Sequence, residues 1–359
     1  MPIRFLPGVS DTGVGATLSQ RGHRVTFLEC DRPWYADNRD AAKLPYCTTH
    51  LYRDVPDLIA RFREHVARAD VVIVGSYTVD GIQVCEWVQE EATGVKAFYD
   101  IDTPVTIGKL KAGTCEYLSR ELIAGFDVML SFTGGPTLDV LESQWSAQRA
   151  RALYCSVDVD QYRSLHVERE IDLGYMGTYS DDRQPGVDEL LNGPARHLPN
   201  KRFIVVGSQY PQALRWPENV ERVSHLPPAE HARFYSRQRC TLNITRADMR
   251  AAGYSPSVRL FEAAACATPI ISDAWPGIED VLTPTQEVLI ARTAAEVIKY
   301  LEMDDMQLRR VGLAAHERVF EEHCSSCRAQ ELEHYIEEVQ AHAQADARAS
   351  VIVSAALSQ

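Results

Sequence analysis

No stretch of this sequence stays apolar for the roughly 18 residues that a membrane-spanning helix needs, so no span is expected. The opening residues, MPIRFLPGVSD, have neither the apolar core nor the small-residue cleavage site of a secretory leader. Positive charge is scarce: 37 Lys and Arg stand against 50 Asp and Glu, a net charge of −13. That balance disfavours an extended nucleic-acid footprint, which needs many cations along a phosphate backbone, but it leaves room for a local phosphate site of two or three arginines. The nine cysteines are an odd number without framework spacing, which argues for a reducing, cytoplasmic compartment. Cys324-x-x-Cys327, beside His323, has no second Cys or His pair at matching distance and falls in a helical stretch. It reads as inert thiols rather than half a metal site. No DxD-type carboxylate pair follows a suitable strand in the second half, so neither a metal nor a cofactor is expected.

What is present is alternation. The chain has 359 residues, about two domains' worth at ~150 residues each. Ile3 to Leu6, Val25 to Leu28, Val71 to Val74, Ala97 to Tyr99 and Val128 to Ser131 read as strands, with amphipathic stretches such as Val55 to Arg68 and Ile82 to Glu90 between them. After a polar stretch near Asp158 to Glu170, read as a hinge, a second series begins. Its strands are Leu173 to Met176, Phe203 to Val206, Val220 to Ser224, Cys240 to Ile244, Pro269 to Ser272 and Val288 to Ile290. Such alternation predicts α/β units on parallel sheets, two doubly wound domains in tandem, with ligands at the carboxyl ends of the strands. From about Met306 to Arg348 the pattern is nearly continuous helix.

Three constellations carry candidate chemistry. In Asn243 to Asp273 a strand runs into a polar loop holding Arg246, and Ser255 reads as the N-cap of a helix with Pro256 at its first position. The free N–H groups of that helix start, around Ser257, with Arg246 and Arg259, make an anion site. Glu262, about two turns in, is placed to accept the hydroxyls of a ribose; the alternative is a capped core helix with Glu262 on its exposed face. In Gly174 to Pro185 a strand ends at Gly177, followed by Thr178, Ser180 and Arg183, a βα turn suited to phosphate or simply an ordinary loop. In the first half, Ser76-Tyr77, Asp100-Ile101-Asp102 and Thr133-Gly134-Gly135 each follow a strand. If the strand continues through them, Asp100 and Asp102 point the same way and either can act as a base toward an acceptor hydroxyl; Asp102 is also a good helix cap. His23 reads as structural. His225 and His231 flank a Pro-Pro turn that either lines a base pocket or is merely satisfied.

The words DIDTPVTIGKL, LSFTGG, LYCSVD, GTYSDDRQP, WPENV, HLPPAEHARFY, LNITRADM and GYSPSVRLFEAAACATPIISD closely resemble the CgeB-type (spore-maturation protein-like) glycosyltransferase family, from about Arg21 to Arg292. The resemblance implies a GT-B fold: an acceptor domain over 1–160, a nucleotide-sugar donor domain over 161–327, and a helix over 328–359 returning to the first domain. It implies transfer of a sugar from a nucleotide-diphosphate donor to a hydroxyl of an unidentified acceptor. The group is similar to GT-B enzymes with a Glu-x7-Glu signature, whose second Glu corresponds to Glu262 and whose first falls on Tyr254 here. The turn that holds the base in such enzymes corresponds to Ser224 to Leu226. Oligomeric state, donor sugar and acceptor are left open. Because the first Glu is absent, a non-catalytic sugar-nucleotide-binding scaffold stands as an alternative; a GT-B-shaped epimerase, which would need no separate acceptor, is another. A phosphorylase would need a cofactor lysine that the second-half strands lack.

Overall fold

The computed structural model describes residues 2–5, 12–32 and 46–357. It divides into two units, Met1–Leu153 with Arg328–Gln359, and Tyr154–Cys327. In the first unit seven strands form one sheet: β1 (Pro2–Phe5), β2 (Arg24–Cys30), β3 (Thr48–Tyr52), β4 (Val71–Gly75), β5 (Val95–Asp100), β6 (Val128–Ser131) and β7 (Ala150–Ala152). Their order is β3-β2-β1-β4-β5-β6-β7, all pairs parallel. The sequence pattern missed β3 and β7: TTHLY and ARA are polar edge strands, without the apolar run that marks a central one. The helix Thr12–Gln20 precedes β2.

Central strands such as VVIVG are buried on both faces, as parallel sheets require. One face packs on helices that contribute Leu58, Phe62, Val84 and Val88. The other is covered partly by the closing helix, whose Ala329, Leu332, Ile336 and Val339 share a core with Val71, Ile73, Val95 and Ala97. Arg21 donates twice to Glu333 on that helix, and His23 meets the same carboxylate at 2.6 Å, so His23 is structural. The C-terminal run is nearly continuous helix, as the pattern suggested, with a single break. Asp305–Glu322 ends at His323, and Ser325–Leu357 begins afresh after the chain bonds to Val157 through the Ser325 amide.

The second unit repeats the plan with β8 (Ile171–Met176), β9 (Phe203–Val206), β10 (Val220–Val223), β11 (Gln238–Asn243), β12 (Ile270–Ser272) and β13 (Leu289–Ile290). The order is β10-β9-β8-β11-β12-β13, again parallel. The switch point, where the connections leave in opposite directions, lies between β8 and β11. In the first unit it lies between β1 and β4. The helix Val258–Ala265 buries Leu260, Phe261 and Ala263 to Ala265 completely; Leu260 and Phe261 contribute about 1.5–3 kcal/mol each. No helix among the described residues is long and apolar enough to cross a membrane.

Candidate functional site

The second unit has a cavity of about 350 Å³ at the carboxyl edge of its sheet. Three strands on one side of the switch point send their following residues there: Gly177 and Thr178 after β8, Gly207 and Ser208 after β9, Ser224, His225 and Leu226 after β10. Arg183, Arg259 and Glu262 complete the wall. The loops approach too closely for side chains. A Cβ on Gly207 would lie 2.0 Å from the Gly177 carbonyl oxygen, and one on Gly177 would lie 2.6 Å from the Tyr175 hydroxyl. Backbone groups therefore come to the surface of the cavity, as close contact with a phosphate requires. Two larger clefts in the first unit, about 550 and 630 Å³, are lined by Arg21, His23 and Glu333 and by Asp70, Lys96 and Asp127. They lie where residues lead into strands, the edge opposite to the one where open α/β sheets hold ligands.

Two guanidinium groups face the cavity, and their hydrogen bonds run to neutral acceptors. Arg183 donates to Ser180 Oγ (2.9 Å) and the Thr178 carbonyl (2.6 Å). Arg259 donates to Asn243 Oδ1 (2.9 Å) and Ser257 Oγ (3.2 Å). Burial, with the like charge of Arg259 adding to it, holds the Arg183 pKa below its ordinary value. A pair of cations crowded together in this way favours an anion between or beside them.

Glu262 is not on an exposed face: it is only 9% exposed. Its Oε2 accepts a hydrogen bond from Tyr235 Oη at 2.8 Å. That tyrosine was not singled out from the sequence; the only signal was its place in an amphipathic stretch. The helix start also differs from expectation. Ser257, with φ −83° and ψ 147°, is the N-cap of Val258–Ala265, and Pro256 precedes the helix. Ser255 is buried, with its Oγ 3.2 Å from Met249 Sδ. Arg246 heads the short helix Ala247–Ala252, and Arg246, Ser255 and Ser257 are not part of the cavity wall. The Arg246 loop is held from two sides. Asp273 accepts from Thr245 N and Oγ1, and Asp182 accepts from Ala247 N at 2.8 Å. His231 meets the Leu226 carbonyl and Tyr162 Oη, so it braces the turn whose His225 and Leu226 line the cavity. Tyr254 has φ 48°, and its ring lies against Gly277, where a Cβ would come within 2.3 Å of it.

In the first unit the strand ends at Asp100, so Asp100 and Asp102 do not share a strand face. Asp100 is 2% exposed and accepts from Thr106 Oγ1 (2.9 Å) and the Asp102 amide (3.1 Å). Burial pushes its carboxyl up to about 6. Asp102 heads the helix Thr103–Ala112 without a side-chain cap bond; its Oδ2 accepts from Tyr77 Oη at 2.8 Å. Ser76 Oγ accepts from the Ile101 amide. Ser131 Oγ bonds both the amide and the carbonyl of Thr133. Gly135, at φ 55°, turns the chain into the helix Pro136–Trp145, with Gly134 just before it. These residues form a polar layer over the carboxyl ends of β4, β5 and β6. Cys324 Sγ and Cys327 Sγ lie 3.2 Å apart, and no group of three His, Cys, Asp or Glu able to hold a metal occurs among the described residues.

Residues 183–334 match a family profile described as Glycosyl transferase-like. Among curated proteins, none matches the chain. Solved structures match it almost throughout. Sucrose-phosphate synthase from Thermosynechococcus elongatus is 14% identical, with 95% of this chain and 100% of that chain covered and a TM-score of 0.69. Anabaena HepE in complex with UDP and glucose is 10% identical, covers 94% and 100%, and has a TM-score of 0.71. An alpha-glucosyltransferase in complex with UDP-glucose and DNA containing an abasic site is 15% identical, covers 94% and 98%, and has a TM-score of 0.68. The fold is GT-B.

Proposed function

We propose that the protein is a GT-B glycosyltransferase that holds a nucleotide-diphosphate sugar in the cavity of its second unit and transfers the sugar to a hydroxyl. The observation that carries this reading is the meeting of Gly177, Thr178, Arg183, Arg259 and Glu262 at one cavity beside the switch point. The glycine turn and two cations suit a diphosphate, and a buried carboxylate suits a ribose diol. Ser224 to Leu226 suit the base through backbone groups. The profile match and the UDP-bound neighbours support the same donor class, and the shared words support a place among the CgeB-type proteins.

In the reaction the acceptor oxygen bonds to the anomeric carbon while the bond from that carbon to the phosphate oxygen breaks. The leaving diphosphate carries away the electron pair, and Arg183 and Arg259 stabilise its charge; such preorganised groups are often the largest catalytic contribution. Asp102 on the first unit takes the acceptor's proton. Asp100, buried beneath the Asp102 amide, positions it. No metal enters this scheme, and cytoplasmic residence fits the free thiols.

Tyr254 favours one second reading. It stands where the related signature has a carboxylate, so a protein that binds a sugar nucleotide without turning it over is consistent with the same cavity. Incubation with a panel of nucleotide sugars separates the readings. Release of free nucleotide, by transfer or slow hydrolysis, supports a transferase. Tight binding with no release supports the scaffold, and neither binding nor release contradicts both.

A further inference from the structure

The reading of the first unit as the acceptor side leaves the chemical class of the acceptor open, and the loop after β4 bears on it. That loop stands at the switch point of the first sheet, where open α/β sheets place ligands. Tyr77 there has φ 63°, and Asp80, three residues on, has φ 52°. Left-handed backbone is unfavourable for a bulky side chain. It persists where the surroundings over-determine it, and such outliers concentrate at ligand sites.

The surroundings of Tyr77 do over-determine it. Its hydroxyl donates to Asp102 Oδ2 at 2.8 Å, and its ring packs on Tyr117 at 4.9 Å between centroids. Lys109 Nζ bridges the pair at 5.4 Å from both rings. Tyr117 Oη in turn meets Thr106 Oγ1 at 2.8 Å, and Thr106 holds Asp100. Burial and the Asp102 charge keep the Tyr77 phenol protonated, so it remains the donor in its bond to Asp102. Yet Tyr77 is 42% exposed, one of few large hydrophobic side chains so exposed among the described residues.

A fixed, exposed aromatic ring whose edge is bonded to a carboxylate has a defined complement. The ring face is electronegative and attracts polarised C–H groups; the carboxylate accepts from a hydroxyl at the border of such a surface. A pyranose ring offers both, a patch of axial C–H bonds and equatorial hydroxyls around its rim. A simple alcohol offers the hydroxyl without the C–H face, and a phenol offers a flat ring with one hydroxyl. We propose that the acceptor is a saccharide that stacks on Tyr77 and presents one hydroxyl to Asp102.

Saturation-transfer NMR on the full chain tests this with methyl β-glucopyranoside, methyl α-mannopyranoside and methyl β-galactopyranoside as probes. Glycerol and phenol serve as controls, and UDP is present in the same tube. Transfer to the ring C–H protons of at least one glycoside is expected. It should persist in Tyr77→Phe, which keeps the ring, and fall roughly fivefold in Tyr77→Leu, the scale of one aromatic contact. Near-ultraviolet circular dichroism checks that both variants are folded. The proposal is overturned if no glycoside is saturated, if glycerol or phenol is saturated as strongly, or if Tyr77→Leu retains the effect. Saturation of UDP reports separately on the second unit. UDP contact without glycoside contact overturns the saccharide platform alone, and glycoside contact without UDP contact overturns the donor reading alone.

Discussion

Replacing Glu262 by alanine removes a buried carboxylate that lines the cavity and accepts from Tyr235 at 2.8 Å. Two losses follow, and they can be told apart. Without ligand, the Tyr235 hydroxyl, fully buried, is left without its acceptor, which costs about 1–3 kcal/mol of stability. With ligand, the ribose loses a charge-assisted hydrogen bond, worth about 1.5–3 kcal/mol. That is a rise in Kd of roughly 10- to 150-fold. Glu262→Gln keeps an oxygen for Tyr235, so stability should stay near wild type, but one of two ribose acceptors becomes a donor and affinity should still fall. Calorimetric titration of UDP into the three proteins, with thermal melts of each, separates the effects. UDP affinity unchanged in both folded variants would refute the ribose role and leave Glu262 as a partner of Tyr235 only.

Asp102→Asn should lower kcat by about 10²–10⁴-fold, the contribution of a general base, with little change in nucleotide affinity; near-wild-type turnover would remove Asp102 from that role. Arg259→Ala and Arg183→Ala should weaken UDP binding and turnover together, and Arg246→Ala less than either, because Arg246 is not part of the cavity wall; equal losses from all three in titrations would contradict that ranking. The Asp100 carboxyl titrates near 6 in the fold, above its unfolded value. Its contribution to stability is complete below about pH 4 and is lost as pH rises through 6, about 3 kcal/mol in all. Asp100→Asn should therefore flatten the melting midpoint between pH 4 and 7, and an unchanged profile would assign the titration elsewhere. Activity should survive EDTA; a full loss restored by Mg²⁺ or Mn²⁺ would refute the metal-independent scheme.

Most of the architecture was legible because central parallel strands are apolar on both faces. VVIVG, FIVV and the PIIS run announce themselves. The edge strands Thr48–Tyr52 and Ala150–Ala152 did not, since an edge can be polar. Gly177, Arg183 and Glu262, singled out by residue type in the sequence, meet at one cavity in the fold. The sequence is silent where only backbone geometry decides. Whether Ser255 or Ser257 caps the helix depends on dihedrals that Tyr-Ser-Pro-Ser does not fix, and Arg246 points by a loop that Asp182 and Asp273 hold from distant parts of the chain. The two first-unit carboxylates look alike in DID, and only the end of β5 at Asp100 separates a buried group from an accessible one.

The central claim is that the second unit's cavity takes a nucleoside diphosphate. A thermal-shift panel of UDP, GDP, dTDP, ADP and CMP on wild type and Arg259→Ala tests it most directly. At a hundredfold excess over Kd, binding adds about 2.7 kcal/mol of apparent stability. Expected is a raised midpoint with at least one diphosphate in the wild type, reduced or abolished in Arg259→Ala. No shift with any diphosphate, or a shift that Arg259→Ala leaves undiminished, would contradict it.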